Sequence, residues 1–318
     1  MKSRRLKIIK YIFEIAFIIS ISLIFYLLKP IITPKVLYIP SGSIGKIIAQ
    51  LKSENLDVSL LDLILLKLIG SPQSGWIDIK TTQNTRADFL YKLTKAKAAL
   101  QNVTLIPGET TYMFFKQLSH ELDLNATLLQ KEFLALSPLE EGAFLPETYK
   151  IPKGITEKSL VTLLLHIAKQ RHQEFALKVF GKYNEAKWFR YVAIASVIQK
   201  ESANVEEMPL VSSVIYNRLK KGMPLQMDGT LNYGKYSHQR VTPQRIKEDS
   251  SVYNTYKHKG VPKIPVCNVS MDAVCAAIFP AQTDYLYFMK NKKGTHDFSR
   301  YYSTHLENIS RVTKRNKI

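Results

Sequence analysis

Hydrophobic positions along the chain fall into three regimes. From Ile8 to Leu28 the residues are apolar apart from Lys10 and Glu14 and a few small polar ones, and ~20 such residues suffice for a helix to cross a bilayer. Further on, short extended apolar runs alternate with helical ones. Ile39-Pro40-Ser41-Gly42 precedes IGKIIAQLKSENL, Ile106-Pro107-Gly108-Glu109 precedes TYMFFKQLSHEL, and Ile151-Pro152-Lys153-Gly154 precedes TEKSLVTLLLHIAKQ. Each time an extended piece ends at proline, a glycine-containing turn follows, and a helix starts behind a polar cap, which predicts a recurring strand-turn-helix unit. From Thr156 the pattern becomes mainly helical: one helix to about Phe180, one ending at Glu201, and one from about Val205 to Lys221. Beyond Gly222 the chain is rich in Gly, Pro, Asn and Tyr, with a further helix expected over Ser270–Ala277 and a strand over Tyr285–Met289.

These elements predict an α+β fold. Between the first two units, SLLDLILLKLIG reads as a buried helix and GWIDI as a short strand. Strand, helix, helix, strand is the order of a small carbohydrate-binding module of the LysM type, and equally that of a generic α+β packing unit. The expected organisation is a cytoplasmic tip and transmembrane anchor over residues 1–30, a LysM-like βααβ module over 31–100, and over 101–318 a mainly helical catalytic domain with loop-rich and short β segments.

Charge sharpens the reading of the apolar start. Lys2, Arg4, Arg5, Lys7 and Lys10 stand at its N-terminal side, so the positive-inside rule leaves the N-terminus in the cytoplasm and the rest outside. YLLKPIITPKVLY offers no small-residue cleavage site, so the expectation is an uncleaved single-pass anchor in a bacterial inner membrane with the bulk of the chain in the periplasm. The formal charge of +19 is spread along the 318 residues without a basic-aromatic motif, which argues against nucleic acid. A positive outer domain suits an anionic membrane surface or an acidic polymer such as the cell wall, although a solvated lysine-rich surface reads the same way. The histidines form neither HExxH nor a Cys/His cluster, so no metal and no cofactor is expected. Cys267 and Cys275 could be a disulfide or two free thiols.

The candidate chemistry centres on IASVIQKESA. Ile194, Ile198 and Glu201 follow at spacings of four and three, so the glutamate shares the apolar stripe while Gln199 and Lys200 point elsewhere. A glutamate paired with a nearby lysine at the edge of the core is the ordinary alternative. Partial burial and the negative end of the helix would raise its pKa, as a general acid requires. Downstream, Asn217, Gln226, Asp228, Thr230, Tyr233, Tyr253, Asn254 and Tyr256 supply the amides, hydroxyls and aromatic rings that hold sugars.

ASVIQKESANVEEMPLVSSVIYNRLKKGMPLQMDGTLNYG resembles the signature of the endolytic murein transglycosylase (YceG-like) family. FLPETYKIPKG, YNTYKHKGVP and GTHDFS are similar to further segments of that family, in the same order. The resemblance implies a membrane-anchored lytic transglycosylase that cuts within peptidoglycan strands, with Glu201 as catalytic residue and cell-wall synthases, the penicillin-binding proteins, among candidate partners. It also implies that one carboxylate is enough, because the C6 hydroxyl of the sugar attacks the anomeric carbon where most glycosidases need a second acid. Three departures stand out: Gln199 replaces the first acid of the family's Glu-Lys-Glu, Gly229 replaces the proline of its Asp-Pro-Thr, and Gly234–Val252 is short of the acidic and glycine-rich features often seen there. Two rival readings stay open: a lysozyme-type hydrolase using Glu201 with Asp228, and a noncatalytic wall-binding scaffold.

Overall fold

A computed structural model describes residues 2–314 and divides the chain into two compact units. The first comprises the residues up to Gln101 together with Lys150–Thr156; the second comprises Asn102–Tyr149 and the residues from Glu157 onward. Helix and short strand are mixed, with helix dominant.

The first unit begins with α1 (Lys2–Leu28). Its segment Lys7–Leu28 is long and apolar enough to cross a membrane, with a mean hydropathy of 2.3 and none of its most apolar window buried in the protein. There follow β1 (Pro30–Ile32), β2 (Val36–Ile39), α2 (Ile44–Ser53), α3 (Leu60–Ile69), β3 (Gly75–Asp78), β4 (Gln83–Thr85) and α4 (Arg86–Lys95). β2 pairs antiparallel with β3, Val36 opposite Asp78 and Ile39 opposite Gly75, so the βααβ order closes on itself. Ser59 and Asp62 form a capping box at the start of α3. Ile39, Leu51, Leu66, Ile77, Phe89 and Leu93 are the centre of this unit's core, each almost wholly removed from water.

The strand β5 (Leu100–Thr104) and the later strand β6 (Thr148–Pro152) are hydrogen-bonded to each other. Between them come α5 (Thr111–Leu122) and α6 (Ala126–Leu136). The strand-turn-helix reading holds at each of its three places, as β2 to α2, β5 to α5, and β6 to α7 (Glu157–Phe180). Gly108 takes φ of 88° in the second of these turns, a conformation natural only to glycine.

The second unit continues with α8 (Glu185–Glu201), α9 (Met208–Lys220), α10 (Pro243–Glu248), α11 (Met271–Ile278), β7 (Tyr287–Lys290), β8 (His296–Ser299) and α12 (Tyr302–Lys314). α8 is its centrepiece. Trp188, Val192, Ala195 and Ile198 are buried in one cluster with Val211, Val214 and Ile215 of α9 and Ala273, Val274 and Ala277 of α11. Burying the valines and isoleucines among them is worth roughly 1.5–3 kcal/mol each, which holds the end of α8 fixed. Trp188 Nε1 donates to His172 Nδ1 at 3.0 Å, and burial takes His172 down to about 4, keeping it a neutral acceptor. Both cysteines are free thiols; Cys267 is buried and burial pushes its pKa up to about 12.

Candidate active site

α8 ends where the sequence pattern ends. Ser202 caps it with its N–H on Ile198 O, and the last helical side chains diverge. Gln199 Oε1 accepts from the N–H of Ser270 at 3.1 Å and from its hydroxyl at 2.8 Å, so it steadies the residue that caps α11. This explains the first departure from the family pattern: the role needs an acceptor oxygen, which an amide supplies as well as a carboxylate. Lys200 Nζ donates to Ser237 Oγ at 2.9 Å, and Ser237 donates to Glu109 at 3.0 Å. Glu201 is left half-buried, pointing at the loop after α9.

That loop is held in place by its own backbone and by Thr255. The N–H of Gln226 donates to Thr255 O at 3.2 Å, the N–H of Met227 to Thr255 Oγ1 at 3.1 Å, and Thr230 Oγ1 to Met227 O at 2.7 Å. Gln226 adopts a positive φ of 49°, and Asp228–Leu231 forms a single 3-10 turn. The turn presents the Gly229 N–H to Glu201 Oε1 at 2.7 Å. A Cβ at Gly229 would lie 2.7 Å from that same oxygen and 2.7 Å from Lys200 Cβ, so the backbone approaches the acid as closely as it does because the residue is glycine.

Several influences act on the Glu201 carboxyl. Burial raises its pKa most; the Gly229 hydrogen bond opposes this, the nearby Asp228 charge adds to it, and the Arg218 charge opposes it. The outcome is a pKa raised from 4.5 to about 7, which leaves a large protonated fraction near neutrality. Oε1 already accepts a hydrogen bond, so Oε2 is the oxygen free to carry a transferable proton. Glu141 is also raised to about 7 by burial, but its carboxylate is occupied by Thr111 N, Thr111 Oγ1 and Gly142 N.

The sugar-holding candidates divide in two. Asp228 is exposed and its Oδ1 accepts from Tyr256 OH at 2.6 Å, so these two side chains stand together beside the acid. Tyr233 and Tyr253 stack at 4.4 Å with planes 15° apart, both half-buried, and Tyr233 OH donates to Asp249 at 3.1 Å. Gln226 is exposed on the same loop as Asp228. The others serve the framework. Asn254 is fully buried and its amide donates to Ile246 O and Asp249 O at 2.9 and 2.7 Å. Thr230 is fully buried, and Asn217 Nδ2 is engaged by Thr283 O at 2.9 Å and Tyr285 O at 3.0 Å. A sequence cannot separate an amide facing a ligand from one closing a loop. In this structure the expected ligand contacts at these three are instead framework bonds: their polar atoms donate to backbone carbonyls of neighbouring segments.

Gly229 and Arg218 are the neighbours of Glu201 that pattern reasoning passed over as functional groups. The signal available for Gly229 was its place between Asp228 and Thr230; for Arg218 it was a charged residue following the apolar run of α9, next to Asn217. A concavity of about 300 Å³ lies elsewhere in the unit, among Leu145, Arg171, Phe175, Lys178 and Met271, and none of the candidate site residues lines it. Among the described residues no group of three His, Cys, Asp or Glu side chains is placed to hold a metal ion.

An acid of raised pKa closing a buried helix, facing a loop of carboxylate and tyrosines in a mostly helical α+β unit, has the makings of an acid-base enzyme site. The YceG-like family model matches residues 37–311, and the chain belongs to that family. It is 30% identical over 252 residues to the endolytic murein transglycosylase of Bacillus subtilis strain 168, covering 77% of this chain and 68% of that one. The endolytic murein transglycosylase of Streptococcus pneumoniae serotype 2 strain D39 is 31% identical over 157 residues; the match spans 47% of this chain and only 28% of that protein. A yceG-like protein from Listeria monocytogenes, known from a crystal structure, has the same fold, with a TM-score of 0.56 over 88% of this chain and 99% of that one at 22% identity.

Proposed function

We propose that this chain is an endolytic lytic transglycosylase of peptidoglycan, with Glu201 acting as acid and then as base. The observation that carries the reading is a carboxyl raised to about 7 and positioned by a backbone amide, while Asp228, the carboxylate whose charge acts on it, is engaged by a tyrosine hydroxyl. The substrate class follows from the bacillary and streptococcal relatives, which are named for murein transglycosylation.

The reaction cleaves the β-1,4 bond from MurNAc to GlcNAc within a strand. Glu201 Oε2 gives its proton to the glycosidic oxygen as the C1–O bond breaks, and the sugar ring takes up positive charge. The C6 hydroxyl of the same MurNAc attacks C1, and the Glu201 carboxylate accepts the hydroxyl proton. The acid is thereby regenerated, no water is consumed, and the new end is 1,6-anhydro-MurNAc. Tyr233, Tyr253 and Tyr256 offer aromatic faces and a hydroxyl to pyranose rings, and Gln226 and Asp228 offer polar partners.

The anchor reading belongs with this proposal: α1 spans the inner membrane with the N-terminus cytoplasmic, and the catalytic part, residues 101–318, works on the periplasmic side. Residues 31–100 act as a LysM-like glycan-holding module, a role their βααβ order suits. Cutting nascent strands beside the membrane would end their growth, which makes cell-wall synthases the natural partners.

The test is a digest of purified sacculi by the detergent-solubilised chain, with products analysed by mass spectrometry. Anhydro ends, each lighter by one water than the hydrolysis product, are expected. Ordinary reducing ends would assign the chain to the lysozyme-type hydrolases, and an absence of soluble products would leave a wall-binding scaffold.

A further inference from the structure

Two arginines of the described chain are buried, and they differ in one respect. Arg86 is paired with Asp62 at 2.5 Å and with Asp57 at 2.9 Å. Arg218, 8% exposed in the last turn of α9, has no carboxylate at ion-pair distance among the described residues. Its Nε donates to Leu286 O at 2.7 Å, and its Nη1 to Leu225 O at 2.6 Å and Pro224 O at 3.4 Å. These bonds fix the guanidinium against the loop that carries Asp228 and Gly229, and the Tyr287 ring lies 5.3 Å from its central carbon. Nη2 makes no hydrogen bond among the described residues and is not sealed from solvent.

A cation taken out of water normally has an anion beside it, because neutral carbonyls do not replace the lost hydration of a full charge. The Arg218 charge is met by no ion-pair partner among the described residues, only at longer range by the Glu201 carboxyl, and it reaches its neighbours. After burial, it is the second cause holding His305 below its ordinary value, and His305 stacks on Tyr287 at 5.4 Å. It also opposes the upward shift of Glu201. Leu225, Asp228 and Gly229 belong to one short loop, so the guanidinium on Leu225 O, the Tyr256 hydroxyl on Asp228 and the Glu201 carboxyl on the Gly229 N–H are gathered along it.

We propose that Arg218 is an anion subsite of this site, its free Nη2 taking a carboxylate of the bound glycan. The assignment rests on reading the substrate as peptidoglycan, whose carboxylates come from two sources: the lactyl group of muramic acid once its peptide is removed, and the attached peptides. A guanidinium held by its Nε and Nη1 has little rotamer freedom left to lose, so it is preorganised for a charged oxygen.

The experiment uses the full chain in detergent micelles and two glycans, strands stripped of peptide and strands still bearing it. Each is offered with its carboxylates free and after conversion to primary amides with carbodiimide and ammonia. Amidation should raise KM about tenfold or more on at least one glycan, with a smaller change in kcat, as loss of a charge-assisted hydrogen bond predicts. The glycan that responds identifies which carboxylate is bound. Arg218→Gln should erase the difference between free and amidated forms, and Arg218→Lys should keep part of it. The proposal is overturned if amidation leaves wild-type KM unchanged on both glycans, a result that needs no variant to fold. It is equally overturned if folded Arg218→Gln still discriminates. Cleavage of neither unmodified glycan would instead bring down the peptidoglycan reading itself, and this subsite with it.

Discussion

Replacing Glu201 by glutamine separates chemistry from stability, and the two should move in opposite directions. The folded carboxyl titrates at about 7 against 4.5 unperturbed, so the folded state prefers the protonated form. Its contribution to stability is therefore fully present below about pH 4.5 and is lost as the pH rises through about 7. At 1.36 kcal/mol per pH unit, the interval from 4.5 to about 7 amounts to about 3 kcal/mol, a ceiling because the residue keeps some contact with water. Glutamine never ionises, so Glu201→Gln should match wild type below pH 4.5 and exceed it by up to about 3 kcal/mol above pH 7. Glu141 titrates in the same range, so only the difference between the two proteins reports on Glu201. Denaturant midpoints measured across this window give the stability curve, and digestion of sacculi gives activity. The variant should lose nearly all cleavage, while wild-type turnover should fall as the pH rises through about 7. Parallel stability curves for the two proteins would show that the carboxyl is not perturbed, and retained cleavage in the variant would show that it is not the acid.

Other perturbations probe the neighbours of the acid. Asp228→Asn removes a charge that raises the Glu201 pKa, so the falling limb of the pH-rate profile should shift to lower pH while turnover stays within about tenfold of wild type; a loss as deep as that of Glu201→Gln would mean a second carboxylate is required. Gly229→Ala places a carbon 2.7 Å from Glu201 Oε1, so turnover should drop by more than about tenfold and the melting point should fall by the equivalent of about 1–3 kcal/mol. Tyr233→Ala and Tyr253→Ala each break the stacked pair and should raise KM with little effect on kcat, as steady-state kinetics on isolated strands can establish. Asn254→Ala leaves two half-buried carbonyls without their donor and should cost about 1–3 kcal/mol in thermal unfolding, a defect that substrate cannot repair.

Reading the chain locally located the features that depend on residues within a few turns of one another. The apolar α1, the strand-turn-helix recurrences, α7 and α8 could all be traced from hydrophobic spacing, proline and glycine, and so could a glutamate closing an apolar helix. The strand expected over Tyr285–Met289 starts instead at Tyr287, because the carbonyls of Thr283, Tyr285 and Leu286 are taken by Asn217 and Arg218 of α9. α9 itself starts at Met208 rather than near Val205, since Glu207 is drawn to His296 at 2.7 Å and Pro209 lies in the first turn.

Only tertiary packing decided what the polar residues do. Thr255 reaches back to Met227, Tyr256 to Asp228, and Ser270 to Gln199, all across long separations in the chain. Asn254 and Tyr256 stand two positions apart in one Asn- and Tyr-rich segment, yet one closes a buried loop and the other meets Asp228. Lys150–Thr156 carries β6 on towards α7 in sequence but belongs to the first unit. Hydrophobic periodicity records which side of an element faces inward. It carries no record of which distant backbone group a buried amide will meet, because that partner exists only once the segments have packed.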